Sequence, residues 1–472
     1  MDRVGKRSEK DLIMKKKLIY LATLALAMGM FSACDKDKAD ESWKEIPSTI
    51  ITAESGDATL TVNGVPDKSG NVKFVANSAS AGEVTLDNII PGYNSVVVPV
   101  SIANSGKDVY KFEGKVSLSS APAMIQLFEV AKKSIYDITV SGEITMEGKV
   151  TLAAETAVSE AAQGGIAGTW KTADQIVTDP KVGVVKSSPI MLKWTSKNEE
   201  VNTKLANLNN LGSLFGSMAL FNYLQSVTFN ADGNITASYY DGEFRMAGAD
   251  DKGKLTVDHT SDWKSSPKGN FAFWYTAGEY IFIVPNFEAM SDDDSADKPG
   301  ETPDFDIKEM ISSLKDLKEY GVDVTALVTE LTKIMKQGFV LKFAAEGNGL
   351  KVYADKSICG NIITAIIPAA KMLDTVLPEL IKDKPEAAQY VQIIKGMLGI
   401  EKFADLEAIW KATDEFCITL SFTKEGFIFD FYGTWEESRV PFFCGCGESA
   451  PYTLQNPPTP SRRFSYVQAG SD

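Results

Sequence analysis

The sequence predicts a β-rich α+β protein, in which an N-terminal antiparallel β-domain precedes a barrel-like antiparallel sheet with helical insertions. Over residues 49–160, short runs with alternating apolar residues are separated by Gly, Pro, Asn and Asp, a pattern typical of antiparallel strands. Over residues 168–440, such runs alternate with long apolar faces of helical period. Residues 161–167 between them carry no charge and are mostly small, which predicts a linker.

The stretch before Cys34 does not have the pattern of a fold element. Lys15–Lys17 are followed by the uncharged run Leu18–Met30 and then by small residues before Cys34. The run is about 13 residues long, whereas a permanent membrane span needs roughly 20. Residues 1–33 therefore read as a secretory signal, with translation starting at Met14. The alternative is a short buried helix that opens a cytoplasmic domain.

This stretch resembles the lipobox of bacterial lipoproteins. The resemblance implies that the chain is cut before Cys34 and that the Cys34 thiol carries the lipid. The partner would then be a membrane, and the location the outer membrane, facing the periplasm or the cell surface. The charged stretch 34–48 predicts a flexible tether. Its acidic start resembles the surface-export signal of Bacteroidetes lipoproteins.

The charge balance argues against nucleic acid as a partner. Removing residues 1–33 takes seven basic residues from a total of 48 and three acidic residues from a total of 63, which leaves a net charge of −19. Such a surface repels phosphate backbones, and no basic stripe reverses this effect.

The sequence offers no constellation of catalytic or metal-binding residues. His259 is the single histidine, which excludes a zinc site built on several histidines. Nucleotide-binding loops and a Gly-x-Ser-x-Gly elbow do not occur. The acidic loop Ser291–Asp304 fails the EF-hand spacing. We therefore expect no enzyme activity, no metal and no cofactor.

Four cysteines remain after Cys34. Cys359 and Cys417 lie in apolar surroundings, and Cys444 and Cys446 form a Cys-x-Cys near the C-terminus. They allow three disulfide pairings in an oxidising compartment. We favour the interpretation without an essential disulfide.

Within the β-domain, three strands are predicted at Thr59–Gly64, Asn71–Val75 and Ser95–Ile102. Two later stretches nearly repeat each other, Phe112–Leu118 and Met146–Leu152, which predicts two related β-units. A helix over Met124–Lys133 is expected between them.

The second domain opens with Gly168-Thr-Trp170, which resembles the Gly-x-Trp of lipocalins and related calycins. A hairpin over Ser226–Ala237 strengthens the resemblance. In that family the tryptophan plugs the closed end of a barrel under a basic residue, which implies a closing strand over Phe427–Trp435 and a covering Arg439. The alternative is a plain strand with a buried tryptophan.

Hairpins and helices are predicted between these points. The hairpins join Phe271–Tyr275 to Tyr280–Val284, Phe339–Phe343 to Leu350–Tyr353, and Phe416–Phe422 to Phe427–Tyr432. The helices are predicted over Val201–Phe221, Asp306–Gly321, Asp323–Gly338, the uncharged run between Lys356 and Lys371, Glu386–Leu398 and Ala404–Thr413. The uncharged run is too short to span a membrane. The tail, residues 441–472, is expected to be disordered.

These patterns suggest a pocket for an apolar ligand. Its wall would be the aromatic side chains that alternate along two strands (Phe271, Phe273, Tyr275, Tyr280 and Phe282), and its cover the helix around Ile362, Ile363, Ile366 and Ile367. Equally, that helix could be plain core. The predicted function is a non-enzymatic envelope lipoprotein that binds or carries a hydrophobic small molecule. The alternative is a structural or glycan-binding surface lipoprotein.

Overall fold

The structure is a computed structural model. It describes residues 41–90, 92–106, 108–118, 134–173, 176–178, 184–244, 248–249, 255–256, 262–286, 289, 324–380, 382, 391–392, 395–396 and 400–424. The chain divides into two compact units. Unit 1 comprises Met1–Leu118 and Asp137–Thr156, and unit 2 comprises Ser119–Tyr136 and Ala157–Asp472.

Nine strands form the first sheet. They are β1 (Ile50–Thr52), β2 (Ala58–Val62), β3 (Val65–Asp67), β4 (Asn71–Ala76), β5 (Ala81–Asp87), β6 (Ser95–Asn104), β7 (Val109–Leu118), β8 (Tyr136–Thr145) and β9 (Val150–Val158). Their order across the sheet is β1-β4-β5-β6-β7-β8-β9-β2-β3. The three strands predicted from alternating apolar residues are confirmed as β2, β4 and β6.

The alternation of buried and exposed residues determines which face of this sheet forms the core. Along β6, Val96, Val98, Val100 and Ile102 are buried while the residues between them are exposed or half-buried, so that one face of the strand forms the core. Across the sheet, Phe74 and Phe112 pack with ring centroids 5.3 Å apart.

One strand pair departs from the antiparallel prediction, because β2 and β9 run parallel. The parallel partner arises because β9, the last strand of this sheet, is inserted beside β2, one of the first. That long-range pairing leaves no mark in the local alternation.

The two nearly repeated stretches have different structures, so the prediction of two related units is wrong. Gly114 lies inside β7, where an added Cβ would be 2.2 Å from the carbonyl oxygen of Pro99. Gly148 instead lies in the turn between β8 and β9, with φ +87°. Both stretches contain Glu-Gly-Lys. In the first stretch this tripeptide is part of an extended strand close to another backbone, and in the second its glycine adopts a left-handed turn conformation.

The main sheet of the second unit has ten strands, and two short hairpins accompany it. The strands of unit 2 are β10 (Gly168–Thr172), β11 (Val177–Thr178), β12 (Val185–Ser187), β13 (Ile190–Ser196), β14 (Leu224–Phe229), β15 (Ile235–Tyr239), β16 (Gly248–Ala249), β17 (Leu255–Thr256), β18 (Lys264–Ser265), β19 (Ala272–Ala277), β20 (Tyr280–Pro285), β21 (Phe339–Glu346), β22 (Gly349–Asp355) and β23 (Thr413–Lys424). The main sheet has the order β18-β15-β14-β10-β23-β22-β21-β20-β19, with β13 also paired to β23.

Both sheets are curled, each as a half-barrel. In the second sheet, a bridge between Asn234 and Phe273 links the β14–β15 hairpin to β19 at the opposite edge. The predicted β-rich α+β class is confirmed at this level. The predicted hairpins β14–β15, β19–β20 and β21–β22 are confirmed as well, each in antiparallel register.

Four helices are described, all inserted between strands of the second sheet. They are α1 (Glu199–Tyr223), α2 (Thr325–Gln337), α3 (Lys356–Leu380) and α4 (Asp405–Lys411). All four were predicted, and the glycine expected to end α2, Gly338, follows its last residue with φ +81°. The helices predicted over Met124–Lys133 and Asp306–Gly321, most of Glu386–Leu398, the strand over Phe427–Tyr432 and the tail lie outside the described residues.

Two predicted connecting segments are packed rather than free. Residues Ser42–Glu45 of the predicted tether form a 3-10 turn, and Ile46 after it is buried. In the predicted linker, Ile166 is fully buried, and the carbonyl of Ala162 accepts a hydrogen bond of 2.9 Å from the hydroxyl of Thr276. The domain boundary that the linker over residues 161–167 implies stays a prediction.

Candidate functional site

The tryptophan that opens the second sheet is buried, as both the lipocalin resemblance and the plain-strand alternative predict. Trp170 is 1% exposed, and its indole N–H donates a 2.6 Å hydrogen bond to the carbonyl of Ile166. Lys424, its strand partner on β23, places Nζ 5.0 Å from the ring centroid. The basic residue over the tryptophan is thus Lys424. Arg439, which the resemblance implied, lies outside the described residues.

The predicted aromatic wall is a packed part of the sheet. Phe273, Tyr275 and Phe282 are all buried. The rings of Tyr275 and Phe282 face each other across β19 and β20, with centroids 4.7 Å apart and planes 7° from parallel. Phe271 and Tyr280 are half-buried at the margin of this set.

The register across four strands determines which face of the sheet carries these aromatic residues. Tyr280 pairs with Lys342, Lys342 with Tyr353, and Tyr353 with Thr419. Directly paired residues share a face, so these four side chains lie on one face, which we call the tyrosine face. Phe282, two residues from Tyr280, lies on it as well.

The predicted cover lies on the other side. Ile363 and Ile367 of α3 pack against Trp194, Trp410 and Phe416. Phe416 is three residues from Thr419 on β23 and therefore points to the opposite face. We call this the helical face; it also carries Ile418 and Trp170. The pocket predicted between the aromatic wall and the α3 isoleucines is therefore wrong, because its two halves lie on opposite faces.

The helical face contains an aromatic cluster beneath α3. Trp194 contacts Phe416 with ring centroids 5.3 Å apart and Trp410 at 6.1 Å, both edge to face. Leu192, Trp194, Ile363 and Ile418 around it are only partly buried. Apolar side chains of two helices and two strands thus converge here without complete exclusion from solvent.

Helix α3 is longer than its uncharged run indicated. Its first part, Lys356–Thr375, is long and apolar enough to cross a membrane by length and composition, which corrects the expectation that the run is too short. The core helix of a soluble protein meets the same criteria but is mostly buried, whereas 17% of this stretch is buried; Ile363 and Ile367 lie on the side that packs against the sheet.

The tyrosine face carries a charged cluster that sequence reasoning missed. Lys342 Nζ lies 2.9 Å from Asp355 Oδ2 and 3.5 Å from Glu279 Oε1. The Asp355 and Lys342 side chains are 7% and 13% exposed. Asp355 Oδ1 also accepts hydrogen bonds from the backbone N–H groups of Ser357 at 2.9 Å and Ile358 at 3.1 Å, and so caps the start of α3.

These contacts lower the pKa of Asp355 and raise the pKa of Lys342. Burial alone would raise the pKa of Asp355, but hydrogen bonds from Ser357, Lys342 and Ile358 outweigh it and lower the value. Burial alone would lower the pKa of Lys342, but the hydrogen bond and charge of Asp355 raise it well above its usual range. Both groups are therefore ionised near neutral pH, and each neutralises the other.

The thiols near this cluster are poorly suited to catalysis. Burial, followed by the charge of Asp355, raises the pKa of Cys359 to about 11. A thiol with that pKa is protonated at neutral pH and is a weak nucleophile. Cys417 is buried, and neither of these two cysteines forms a disulfide.

Other predicted residues fall outside the described part of the chain. They are Cys34 with its signal, His259, the acidic loop Ser291–Asp304, Cys444 and Cys446. Among the residues that the structure describes, no group of three or more His, Cys, Asp and Glu side chains could hold a metal ion.

Comparison with known proteins finds no matching protein-family model, no similar curated protein and no similar solved structure.

Proposed function

We propose that the chain is a lipoprotein of a bacterial cell envelope, held in the outer membrane by acyl chains on Cys34 and facing the periplasm or the cell surface. The observation that carries this proposal is the uncharged run Leu18–Met30, which small residues connect to Cys34, eight residues before the first described element at Ser42. Several acyl chains hold a protein stably at a membrane, whereas one gives only marginal binding.

The anchor is tested by Cys34→Ala, with Cys359→Ala as the matched control. The Cys34 variant should move from the membrane fraction to the soluble fraction, because it has lost its lipid, while the Cys359 variant stays in the membrane fraction. Pelleting of the Cys34 variant with membranes after a high-salt wash would contradict the anchor.

For the body of the protein we propose binding rather than catalysis, by a lipocalin-like domain that follows an antiparallel β-domain. Three features support it: the curled second sheet, the bridge between Asn234 and Phe273 that links its opposite edges, and the buried Trp170 beneath Lys424. Lys342 and Asp355 form an ion pair in which each charge neutralises the other. This favours a structural role for both residues.

The ligand class that fits is an apolar small molecule, and the place is the helical face beneath α3. Four apolar side chains there are only partly buried: Leu192, Trp194, Ile363 and Ile418. On the other face, the side chains of Phe273, Tyr275 and Phe282 are fully buried. Ligand sites are mostly apolar and concave, with few polar groups.

Protein purified without residues 1–33 would be examined by native mass spectrometry for a co-purified lipid, and titrated with a fluorescent fatty acid. Ile363→Trp should obstruct the proposed site beneath α3 and weaken binding of the fatty acid at least tenfold. Ile366→Trp is the matched control, since Ile366 is exposed on the same helix and its variant should bind as the parent does.

Absence of a bound lipid, together with no binding of the fatty acid by the parent, would contradict the carrier role. A structural or glycan-binding surface lipoprotein would then be the better hypothesis.

A further inference from the structure

Helix α3 begins with a lysine that lies against the aromatic cluster. The ammonium group of Lys356 donates a hydrogen bond to the carbonyl of Thr413, and its Nζ lies 6.0 Å from the centroid of the Trp410 ring. Lys356 is half-buried. An ammonium group has three donors, so the contact with Thr413 leaves two of them for another acceptor.

The helical period places this lysine on the side of α3 that packs against the sheet. Ile363 and Ile367 follow Lys356 by seven and eleven residues, and they pack with Trp410 and Phe416. Residues at these spacings lie two and three turns further along the same side of a helix. Lys356 is therefore at one end of this apolar side, about 10 Å from Ile363 and about 16 Å from Ile367 along the helix axis.

Open space adjoins the same side of α3. Gly360 lies one turn after Lys356 and one turn before Ile363. A Cβ added to Gly360 would have no heavy atom within 4 Å, apart from its chain neighbours and its own helix backbone. Gly360 is itself half-buried, so this space lies at the margin of the packed side of the helix.

No carboxylate in the described part of the chain forms an ion pair with Lys356. The described carboxylates that flank Lys356, Trp410 and Thr413 in the sequence have other partners. Asp355 pairs with Lys342 at 2.9 Å, Glu407 with Lys371 and with Lys411, Asp414 with Lys197 at 3.7 Å, and Glu415 with Lys193 at 2.6 Å, while Asp405 accepts hydrogen bonds from the N–H groups of Glu401 and Lys402. A half-buried cation beside apolar side chains is costly without a counter-charge.

From these contacts we infer that the ligand beneath α3 is an amphiphile with one carboxylate, which Lys356 binds while the hydrocarbon chain lies along Gly360, Ile363 and Ile367. The inference rests on the apolar site proposed above and adds the chemistry of the ligand's polar end. One lysine balances one negative charge, whereas a phosphate monoester carries close to two at neutral pH.

The length of the site fits a long-chain fatty acid. The roughly 16 Å from Lys356 to Ile367 is close to half of the roughly 30 Å hydrocarbon core of a bilayer, which is the share of one acyl chain. The carboxylate would accept hydrogen bonds from the two remaining donors of Lys356, and hydrogen bonds between charged groups are stronger than those between neutral ones.

The test compares two ligands that differ only in the head group, dodecanoate and dodecanol, below their micellar concentrations. The protein purified without residues 1–33 is titrated with each by isothermal titration calorimetry. The parent should bind dodecanoate at least tenfold more tightly, because only the carboxylate gains the charged hydrogen bonds. Lys356→Met should bind the two ligands equally. Lys351→Met is the matched control, since Lys351 is exposed on the tyrosine face and its variant should keep the preference.

A second variant tests the position of the hydrocarbon chain and does not depend on Lys356. Gly360→Leu should fill the open space and weaken binding of both ligands at least tenfold. Its melting temperature should not fall, because no atom lies within 4 Å of the new Cβ and leucine favours a helix more than glycine does. Asn361→Leu, at the exposed neighbouring position, should bind both ligands as the parent does.

The outcomes separate this inference from the proposed apolar site. Equal affinity of the parent for the two ligands, or an unchanged preference in Lys356→Met, would overturn the carboxylate while leaving the site in place; Lys356 would then only fasten the start of α3 to Thr413. Parent-like binding by Gly360→Leu would overturn the path of the hydrocarbon chain. Binding of neither ligand by the parent would overturn the site and the inference together.

Discussion

Asn209 of helix α1 hydrogen-bonds to the backbone of Trp194 as a neighbouring strand would. Its Oδ1 accepts from the Trp194 N–H, and its Nδ2 donates to the Trp194 carbonyl, both at 2.9 Å. One and two turns further along the helix, the hydroxyls of Ser213 and Ser217 accept from the N–H groups of Leu192 and Ile190 at 2.9 and 3.0 Å.

The helix thus covers the edge of β13 that β23 leaves unpaired. Gly212 and Gly216 allow the close approach, because a Cβ at Gly212 would be 2.9 Å from the side chain of Leu192. An uncovered strand edge is a template for aggregation, so this polar side of α1 protects the sheet.

Asn209→Ala should therefore destabilise the second unit. Two backbone groups of Trp194 would lose their partners, at a cost of about 1–3 kcal/mol. Urea unfolding followed by circular dichroism measures the change, and Asn207→Ala is the matched control because Asn207 is exposed on the same helix. Equal stability of the two variants would contradict the role of Asn209.

The Lys342–Asp355 pair makes a second prediction. Asp355→Asn keeps a side chain that can cap α3 but leaves the largely buried ammonium of Lys342 without its closest counter-charge. Removal of one partner of a buried pair costs about 3 kcal/mol, and Lys342→Met in the same background should recover part of that loss. A double variant less stable than Asp355→Asn would show that the unpaired charge of Lys342 does not cause the loss of stability.

The stability that Asp355 contributes should depend on pH. Its folded-state pKa lies below the unfolded value of about 3.9, so the native state binds fewer protons than the unfolded state. The contribution is complete above about pH 5 and is lost as the pH falls through the unfolded pKa towards the folded one. The difference in unfolding free energy between the parent and Asp355→Asn should therefore shrink from about pH 6 to about pH 3. A constant difference over this range would contradict the ion pair.

Much of the fold could be predicted because its signals are local. Alternation of apolar residues along β6 and the turn at Gly347 between β21 and β22 depend on only a few neighbouring residues. The same holds for Gly338 at the end of α2. Such elements are therefore predictable from the sequence.

The pairings between distant residues could not be predicted. No local pattern states that β9 joins β2 in parallel, or that α3 packs on the face opposite to Phe282. The face of a side chain in a curled sheet follows from the register across several strands, and a shift of one residue in any strand reverses it.

The inward polar residues of α1 were missed for a related reason. An apolar face at three- and four-residue spacing is the usual sign of burial, yet Asn209, Ser213 and Ser217 are the residues that face β13. Their signal is the spacing of Asn and Ser along one side of the helix, next to Gly212 and Gly216. This pattern indicates burial only when the helix is known to pack against the edge of a strand.

The contact between Trp170 and Lys424 makes the last prediction. Trp170→Phe removes the indole N–H and leaves the carbonyl of the buried Ile166 without this donor; together with the space left by the smaller ring, the cost should be about 2–3 kcal/mol. Lys424→Met keeps the aliphatic stem over the ring and removes only the charge, which should cost about 0.5–1 kcal/mol. Urea unfolding of the two single variants and the double variant separates the effects. If Lys424→Met cost as much as Trp170→Phe, the charge over the ring would be the dominant interaction, and the buried hydrogen bond to Ile166 would not be what holds the start of the second sheet.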